Sequence, residues 1–294
     1  MKTVIFSDSH HRHTWIDEIL KAEEPYDKFI FLGDAFDRHG DNIEETASAA
    51  KWVKAKLDDP KNILIRGNHD NALIYPNCVH AQCSGFTREK WRVVHDILGD
   101  TINQLLPFCM DHDDGILFSH AGISQGLYEE LENYSFHAQL FQVKDFLITR
   151  FIEANRDYLH NRENKLFACG YARGGNMPIG GITWQDFDDH LPIKGLFQVV
   201  GHSIQDLDNG PLFKFNQNKD IPYHWRLASK GVKTEWFENG ATLCLDTCNR
   251  HYVVIENGAF TIKSINWIRQ KDCIGWFDAF KVERGETICE FKLN

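Results

Sequence analysis

The 294-residue chain lacks any apolar run that approaches the roughly 18 consecutive residues needed to span a bilayer. Its first residues, MKTVIFSDSHH, reach polar and charged side chains too early for the apolar core of a secretion signal. Internal repeats, low-complexity tracts and Pro- or Ser-rich linkers are also missing. We therefore expect a globular cytoplasmic protein without a membrane partner.

A basic excess is absent as well, because 32 Lys and Arg residues face 42 Asp and Glu residues, for a formal charge of -10. Nucleic-acid backbones are bound by basic surfaces, so we do not expect a nucleic-acid partner. Hydrophobic residues make up 43% of the chain and charged residues 25%, as in ordinary folded proteins. The 15 histidines are numerous and need an explanation.

The eight cysteines do not suggest a disulfide framework, since they are scattered along a long chain without a secretion signal. Two close groups could supply ligands to a structural zinc ion: Cys78, His80 and Cys83 in CVHAQC, and Cys244 and Cys248 in CLDTC. Neither group has the second well-spaced pair that completes a tetrahedral site. We favour ordinary thiols over zinc.

Apolar runs alternate with helical patterns in the N-terminal half, which indicates right-handed βαβ units with parallel strands. Later runs read mainly as strands, and Asn257-Gly258 predicts a hairpin turn. We therefore expect a single two-sheet α/β domain. Strands are predicted at 3–6, 29–32, 63–65, 115–119, 196–200, 241–245, 252–255 and 260–265, and helices near 14–21, over 43–57, through much of 71–105 and over 136–158.

A polar cluster directly follows each of five predicted strands. The carboxyl ends of strands converge on the ligand crevice of open α/β sheets, so these loops are expected to meet. Helix capping could explain one cluster, but not all of them together. Carboxylate, imidazole and amide ligands suit Mn, Fe or Zn, and one carboxylate can bridge two ions. The clusters are SDSH (7–10), GDAFDR (33–38), RGNHD (66–70), SHAG (119–122) and GHS (201–203).

The motifs D-x-H, GD-x-x-DR, GNH-D/E, H-A/G-G and GH, in this order over residues 3–203, resemble those of the calcineurin-like metallophosphoesterases. The resemblance implies a four-layer α/β/β/α fold, in which two mixed β-sheets pack as a sandwich flanked by helices. It also implies two divalent metal ions, Mn first with Fe or Zn as alternatives, and hydrolysis by a metal-bridging hydroxide. By similarity, the ligands would be Asp8, His10 and Asp34 for the first ion, and Asp34, Asn68, His120 and His202 for the second.

The same resemblance assigns the proton donor and the phosphate ligands. His69 would protonate the leaving oxygen while Asp37 orients its ring, and Arg38 would hold the phosphate. A local salt bridge between Asp37 and Arg38 is the alternative. Arg173 is the candidate for a second phosphate-binding arginine, with a structural loop role as its alternative.

The last motif discriminates between branches of the family. Phosphodiesterase-type members end in G-H-x-H, whereas this chain has Ile204 at the place of the second His. Together with Arg38, this resembles the phosphoprotein-phosphatase branch, which includes eukaryotic serine/threonine phosphatases and bacterial diadenosine tetraphosphatase. We expect a phosphomonoesterase that resembles protein serine/threonine phosphatases, with a phosphoprotein or a nucleotide as substrate. The alternatives are a dinucleoside tetraphosphatase or other nucleotide phosphohydrolase and, remotely, a metal-binding scaffold without catalysis.

Several positions depart from the family pattern without removing a ligand, so they leave the substrate class open. Asp70 stands where Glu is usual, and Ser203 where Thr is common. His11, His13 and His39 would line the pocket mouth or, in the interpretation we favour, lie on the surface.

The domain organisation is predicted as one catalytic unit followed by an extension. Residues 1–265 would form the catalytic domain, with helical insertions near 71–105 and 124–165. Residues 266–294 would pack on the same domain as a final strand pair, or alternatively form a lid. Asp246, in the LDT segment 245–247, is expected to be structural.

Overall fold

The computed structural model describes residues 1–38, 40–111, 115–132, 140–205, 211–215, 225–227, 240–269 and 280–292. Within these residues, no helix is both long and apolar enough to cross a membrane. In chain order the elements are β1 (Lys2–Phe6), α1 (His13–Ala22), β2 (Lys28–Phe31), α2 (Ile43–Leu57), β3 (Asn62–Leu64), α3 (Asn68–Ile74), α4 (Arg88–Leu98), β4 (Phe108–Asp111), β5 (Ile116–Ser119), α5 (Gln125–Glu132), α6 (Leu140–Leu159), β6 (Phe197–Val200), β7 (Leu212–Phe215), β8 (Trp225–Leu227), β9 (Ala241–Cys244), β10 (His251–Glu256), β11 (Ala259–Arg269) and β12 (Phe280–Lys292).

The strands form two six-stranded sheets, ordered β12-β11-β10-β1-β2-β3 and β4-β5-β6-β9-β7-β8. In the first sheet β1, β2 and β3 run parallel, whereas β10, β11 and β12 are joined by antiparallel pairing. In the second sheet β5, β6 and β9 run parallel, and β4, β7 and β8 pair antiparallel. Both sheets are therefore mixed, which confirms the predicted fold class.

The core lies in three layers, and β1 shows how the sequence makes them. Successive side chains of a strand point to opposite faces of the sheet. Val4 and Phe6 accordingly pack in the cluster that includes apolar residues of α1, α2 and α4. Ile5 packs between the two sheets. A third cluster joins the second sheet to α5 and α6. The resulting order is helices, sheet, sheet, helices.

Local signals account for several boundaries. Asn42 and Glu45 form a reciprocal capping box at the start of α2, which spans the predicted residues 43–57. Asn257 and Gly258 have φ of 51° and 75°, and they connect β10 to β11 as the predicted hairpin turn.

Other elements differ from the predictions. The strands β4, β7 and β8 were not predicted, because Pro107 directly precedes β4, and Lys214 and Arg226 interrupt the apolar residues of β7 and β8. The predicted helix over 136–158 corresponds to α6, and its first residues, up to 139, lie outside the described part of the chain. Between 68 and 104, α3 and α4 are followed by a short 3₁₀ helix, Gly99–Gln104.

The C-terminal region contributes a strand pair to the first sheet. β11 continues through residue 265 and pairs with β12 along most of its length, so β12 becomes an edge strand of that sheet. Residues 270–279, between the two strands, lie outside the described part of the chain. The division of the chain at residue 265 stays a prediction.

The loops that carry the predicted site meet at one edge of both sheets. The Asp8 amide donates to the Gly33 carbonyl over 3.1 Å, which joins the loops after β1 and β2. The Gly201 amide donates to the His120 carbonyl over 2.7 Å, which joins the loops after β5 and β6. Between the sheets, the His202 amide donates to the Asp8 carboxylate at 3.1 Å. The expectation that the loops converge is confirmed.

Candidate functional site

The backbone of the site is held in an unusual conformation. Left-handed φ angles occur at Asp8 (48°), His10 (41°), Asp34 (56°), Asp37 (57°) and His202 (67°). Each such residue costs of order 1–3 kcal/mol and persists only where the surrounding structure holds it. Backbone bonds between the loops supply that support: the His10 amide, for example, donates to the Asp34 carbonyl over 3.0 Å.

A first group of candidate metal ligands consists of Asp8, His10 and Asp34, each with one ligand atom within 4.8 Å of the others. Nδ1 of His10 lies 2.6 Å from the Asp37 carbonyl oxygen, to which it can only donate. Nε2 is thereby left as the ligand atom, and it lies 3.9 Å from Oδ2 of Asp34. A carbonyl bond of this kind fixes the tautomer of a metal-binding histidine.

A second group consists of Asp34, His120 and His202, so Asp34 belongs to both groups. His120 Nδ1 donates to the Leu32 carbonyl at 2.8 Å, which leaves Nε2 with its lone pair in the neutral ring. That Nε2 lies 3.0 Å from Asn68 Oδ1, 3.2 Å from His202 Nδ1 and 3.3 Å from Asp34 Oδ2. Acceptor atoms facing one another at these distances fit a shared cation.

The electrostatics agree with that interpretation. Burial and the neighbouring Asp246 raise the pKa of Asp8 well above its usual range. Although burial opposes the charged ring, Asp34 and Asp8 raise the pKa of His120 to about 9. Within the described residues, no Lys or Arg forms an ion pair with Asp8 or Asp34. The positive charge that faces Asp34 is thus a proton on His120, which a metal ion would replace.

His202 stays neutral for a related reason. Burial, followed by the charge of His120, lowers the pKa of His202 well below its ordinary value. Metal ions bind the neutral imidazole, so this environment favours ligation. The donor set of carboxylates, imidazoles and one amide therefore fits two divalent cations that share Asp34.

His69 lies beside the two groups and is held by Asp37. The ring centroids of His69 and His10 are 5.4 Å apart, and His69 Nδ1 lies 3.2 Å from Asp37 Oδ2. Burial works against the charged ring, but Asp34 and the bond to Asp37 raise the pKa of His69 well above its ordinary value. The arrangement keeps a proton on an oriented imidazole next to the candidate metal groups.

Asp70 and Asp246 fix the loops around the ligands. Oδ2 of Asp70 accepts from the amides of Asp34 (2.9 Å) and Gly67 (2.7 Å), so Asp70 joins the loops after β2 and β3. Oδ1 of Asp246 accepts from the Cys248 amide at 3.1 Å within a tight turn. A structural role accounts for these contacts of both carboxylates.

Arg38 and Asp37 do not pair with each other in the described ion pairs. The Arg38 guanidinium lies 2.6 Å from Oε1 of Glu45, and Asp37 pairs with His69 and with Lys90. The local salt bridge considered from the sequence is therefore not formed. Arg38 remains near the site, one residue after Asp37.

Arg173 lies close to the second ligand group. Its guanidinium donates to Oγ of Ser203, the residue after His202, at 2.8 Å. Its Nε lies 2.5 Å from Asp186 Oδ2. Arg173 lines a cleft of about 560 Å³ together with Trp184 and Cys83. The ring of Trp184 contacts that of His202 at 5.6 Å, so the cleft adjoins the site.

Two contacts near the site were not predicted from the sequence. Lys90 Nζ donates to Asp37 Oδ1 at 2.9 Å and to Asp41 Oδ1 at 2.7 Å. Cys83 Sγ lies 3.3 Å from His69 Nδ1. Lys90 lies in α4 and Cys83 in the loop before it, and the sequence gives no short-range spacing that signals the contact of Lys90 with Asp37 across 53 residues.

The structure bears on the zinc ligands considered among the cysteines and on the histidines expected at the surface. Cys78 is buried in the apolar cluster with α5 and α6, and the described metal-compatible groups include Cys83 but neither Cys78 nor His80. The surface interpretation of His11 is wrong, since its side chain is 3% exposed and bonds to Asp41 at 2.9 Å. His13 is likewise buried, and His39 lies outside the described residues.

Comparison with known proteins gives one family match and two similar solved structures. Residues 1–166, more than half of the chain, match the family profile described as "Calcineurin-like phosphoesterase". A metallophosphoesterase from Sphaerobacter thermophilus is 12% identical, with 98% of this chain and 89% of that chain covered and a TM-score of 0.40. YfcE, a phosphoesterase from E. coli, is 12% identical over the whole of both chains, with a TM-score of 0.35. No curated protein sequence matches the chain.

Proposed function

The chain belongs to the calcineurin-like phosphoesterase family, and on that premise we propose that it is a binuclear metallophosphatase that hydrolyses phosphomonoesters. The observation that carries the proposal is the shared position of Asp34. It belongs to two groups of candidate ligands, while the His69–Asp37 pair lies beside them. Family membership implies a metal-dependent phosphoric ester hydrolase, and the roles of individual residues are proposed here.

In this proposal Asp8, His10 and Asp34 hold one ion. Asp34, Asn68, His120 and His202 hold the other. Two adjacent divalent cations activate water at neutral pH and stabilise charge on the phosphoryl oxygens. We propose Mn²⁺ as the native metal because the donors are oxygen and imidazole nitrogen, without a thiolate; Fe and Zn are the alternatives.

The proton for the leaving oxygen comes from His69. Its Nδ1 is held by Asp37, so Nε2 is available to the substrate. Lys90 bonds to the other oxygen of Asp37, at 2.9 Å, and thereby fixes the carboxylate that orients the ring.

The phosphate is held by Arg38 and Arg173. An arginine presents a planar fork that matches two phosphate oxygens. Both guanidinium groups already bind carboxylates, at Glu45 and Asp186. We propose that a phosphate replaces these carboxylates as the partner when substrate binds.

The monoester preference rests on Ile204. Phosphodiesterase-type members carry a histidine at this place, whereas the Ile204 side chain here is 65% exposed and offers no ligand. We propose the phosphoprotein-phosphatase branch, with phosphoserine or phosphothreonine of proteins as substrates. A cytoplasmic location remains part of the proposal.

The experiment compares p-nitrophenyl phosphate with bis-p-nitrophenyl phosphate, with Mn²⁺ added or chelated. We expect faster turnover of the monoester and loss of activity on chelation. Faster turnover of the diester, or activity that ignores chelation, would refute the proposal. Bound metal without hydrolysis of either ester would favour the non-catalytic scaffold.

A nucleotide phosphohydrolase, such as a dinucleoside tetraphosphatase, is the second candidate. The observation in its favour is the cleft of about 560 Å³, in which Trp184 could stack on a base beside Arg173. Product analysis after incubation with a dinucleoside tetraphosphate and with a phosphoserine peptide separates the two substrate classes.

A further inference from the structure

We propose that Cys83, His69 and Asp37 form a separate site for a thiophilic divalent cation of the zinc and cadmium class, and that its occupancy inhibits the enzyme. Binding at this site stands on geometry alone. Only the inhibitory effect rests on the proposed function, because it assumes that His69 donates a proton.

The distances between the three ligand atoms suit a tetrahedral cation. His69 Nδ1 lies 3.3 Å from Cys83 Sγ and 3.2 Å from Asp37 Oδ2, and all three atoms lie within 4.8 Å of one another. Zinc–ligand bonds of ordinary length place neighbouring ligand atoms about 3.3–3.6 Å apart in a tetrahedron. Side-chain adjustments of a few tenths of an ångström would therefore admit the ion, with water as the fourth ligand.

The carboxylate of Asp37 is positioned for this role from both sides. Lys90 Nζ donates to Oδ1 at 2.9 Å, which leaves Oδ2 directed at His69. On the other side, Gly85 packs so closely that a Cβ there would lie 3.1–3.3 Å from the Asp37 side chain. Lys90 also donates to the Gly85 carbonyl at 2.9 Å. The loop that carries Cys83 is thus fixed against Asp37.

The chemistry of this site differs from that of the two groups around Asp34. Those groups contain carboxylates, imidazoles and an amide, whereas this one adds a sulfur ligand, which zinc and cadmium prefer over manganese. Cys83 also lines the cleft of about 560 Å³ that adjoins Arg173, so a cation can enter from solvent. The site can therefore fill while the manganese ions stay in place.

Binding replaces protons and changes no oxidation state. The metal forms bonds to Sγ, Nδ1 and Oδ2, and the protons of the Cys83 thiol and of His69 Nδ1 pass to solvent. His69 then keeps its Nε2 proton as a neutral, metal-bound imidazole, which is a far weaker acid than the imidazolium, and Asp37 no longer orients the ring. An enzyme that needs His69 as a proton donor is inhibited.

A cadmium titration of the manganese-loaded protein tests the binding. Thiolate-to-cadmium charge-transfer absorption can arise only at a cysteine. The two groups around Asp34 contain no cysteine, so cadmium bound there gives no such band. We expect about one equivalent of cadmium to produce the band, with the manganese content unchanged by elemental analysis. Cys83→Ser should abolish this band, whereas Cys169→Ser, which changes another thiol of the same cleft, should retain it.

A kinetic measurement tests the consequence. The cadmium concentration that halves each variant's own cadmium-free rate should rise at least about tenfold in Cys83→Ser and stay near the wild-type value in Cys169→Ser. Cys83→Ala serves if the serine variant does not fold. A band that survives in Cys83→Ser, or no band at all, overturns the site. A band that depends on Cys83 in a protein without phosphatase activity upholds the site and refutes the proposed function.

Discussion

Two regions of the molecule bury carboxylates in opposite ways. Glu23, at the end of α1, is fully buried, and the chain's own groups surround it. Lys2 and Lys263 lie 2.7 and 2.8 Å from its oxygens, and the Tyr252 hydroxyl donates to it at 2.7 Å. These bonds outweigh burial and lower the pKa of Glu23. The charge of Glu23 is thus neutralised by side chains of the protein, and this region is called the balanced region below.

The loops at the carboxyl ends of the strands bury Asp8, Asp34 and Asp246 together, and no Lys or Arg of the described residues forms an ion pair with Asp8 or Asp34. Asp34 faces His120 at 3.3 Å, whereas Asp8 has no cation among the described ion pairs, and a buried charge without a partner is costly. In this region, called the unbalanced region below, a metal ion would replace the His120 proton and supply the positive charge that Asp8 lacks.

The largest expected effect is the loss of Asp34, the proposed shared ligand. Asp34→Asn should lower kcat/KM at least about a thousandfold, because metal ions contribute several kcal/mol to the transition state and each 1.36 kcal/mol is a factor of ten. Kinetics at saturating Mn²⁺, together with metal analysis, provide the measurement. Glu23→Gln is the matched control, since it changes a buried carboxylate outside the site. A loss below tenfold would contradict the shared role of Asp34.

Removing the proposed proton donor should lower activity less and leave the metal content unchanged. His69→Asn is expected to lower kcat by about 10²–10⁴, the usual contribution of general acid catalysis. The metal content should stay at the wild-type value, because His69 is not among the proposed ligands of the two ions. Full activity in this variant would reassign the proton donor and leave the metal groups as they are.

The balanced region should respond in stability rather than in activity. Glu23→Gln leaves Lys2 and Lys263 without their partner and should lower the free energy of unfolding by about 3 kcal/mol. Urea unfolding of the manganese-loaded protein measures this loss, with Glu18→Gln on the same helix as a control. An unchanged midpoint would show that the cluster contributes nothing to stability.

The unbalanced region should respond with the opposite sign. In metal-free protein, Asp8→Asn removes a buried and unpaired charge, so we expect stabilisation by about 1 kcal/mol or more. Urea unfolding in the presence of a chelator measures the gain. With added Mn²⁺, the wild-type protein should become more stable than Asp8→Asn. If Asp8→Asn instead destabilises the metal-free protein, the carboxylate of Asp8 stabilises the fold as that of Glu23 does, and the contrast between the two regions is wrong.

The smallest effect is a difference in pH dependence of the metal-free protein. The pKa of Glu23 is lowered by folding, so its stabilisation is present above the unfolded value near 4.3 and is lost as the pH falls. The pKa of Asp8 is raised by folding, so its penalty appears as the pH rises above about 3.9. The free energy of unfolding should be measured across this pH range. Glu23→Gln should lose the fall in stability at low pH, and Asp8→Asn should lose the fall in stability as the pH rises.

The sequence predicted the architecture and the meeting of the loops because both follow from local patterns. Apolar runs identified most strands, and the polar clusters that follow five of these runs meet at one edge of the two sheets. The contacts of Lys90 and Cys83 could not be predicted, since they depend on how the segment after α3 returns to Asp37 and His69. The pairing of Arg38 with Glu45, in the first turn of α2, likewise depends on how α2 lies against the loop that carries Arg38.

The left-handed backbone at Asp8, Asp34 and His202 has a consequence for metal exchange. Hydrogen bonds between the loops hold these residues, so the proposed ligands are arranged before any ion arrives. Uptake and release of the ions then require no folding step, and their rates are set by water exchange and by the breaking of metal–ligand bonds. A chelated sample should therefore keep its far-ultraviolet circular dichroism and regain activity as fast as the ions bind.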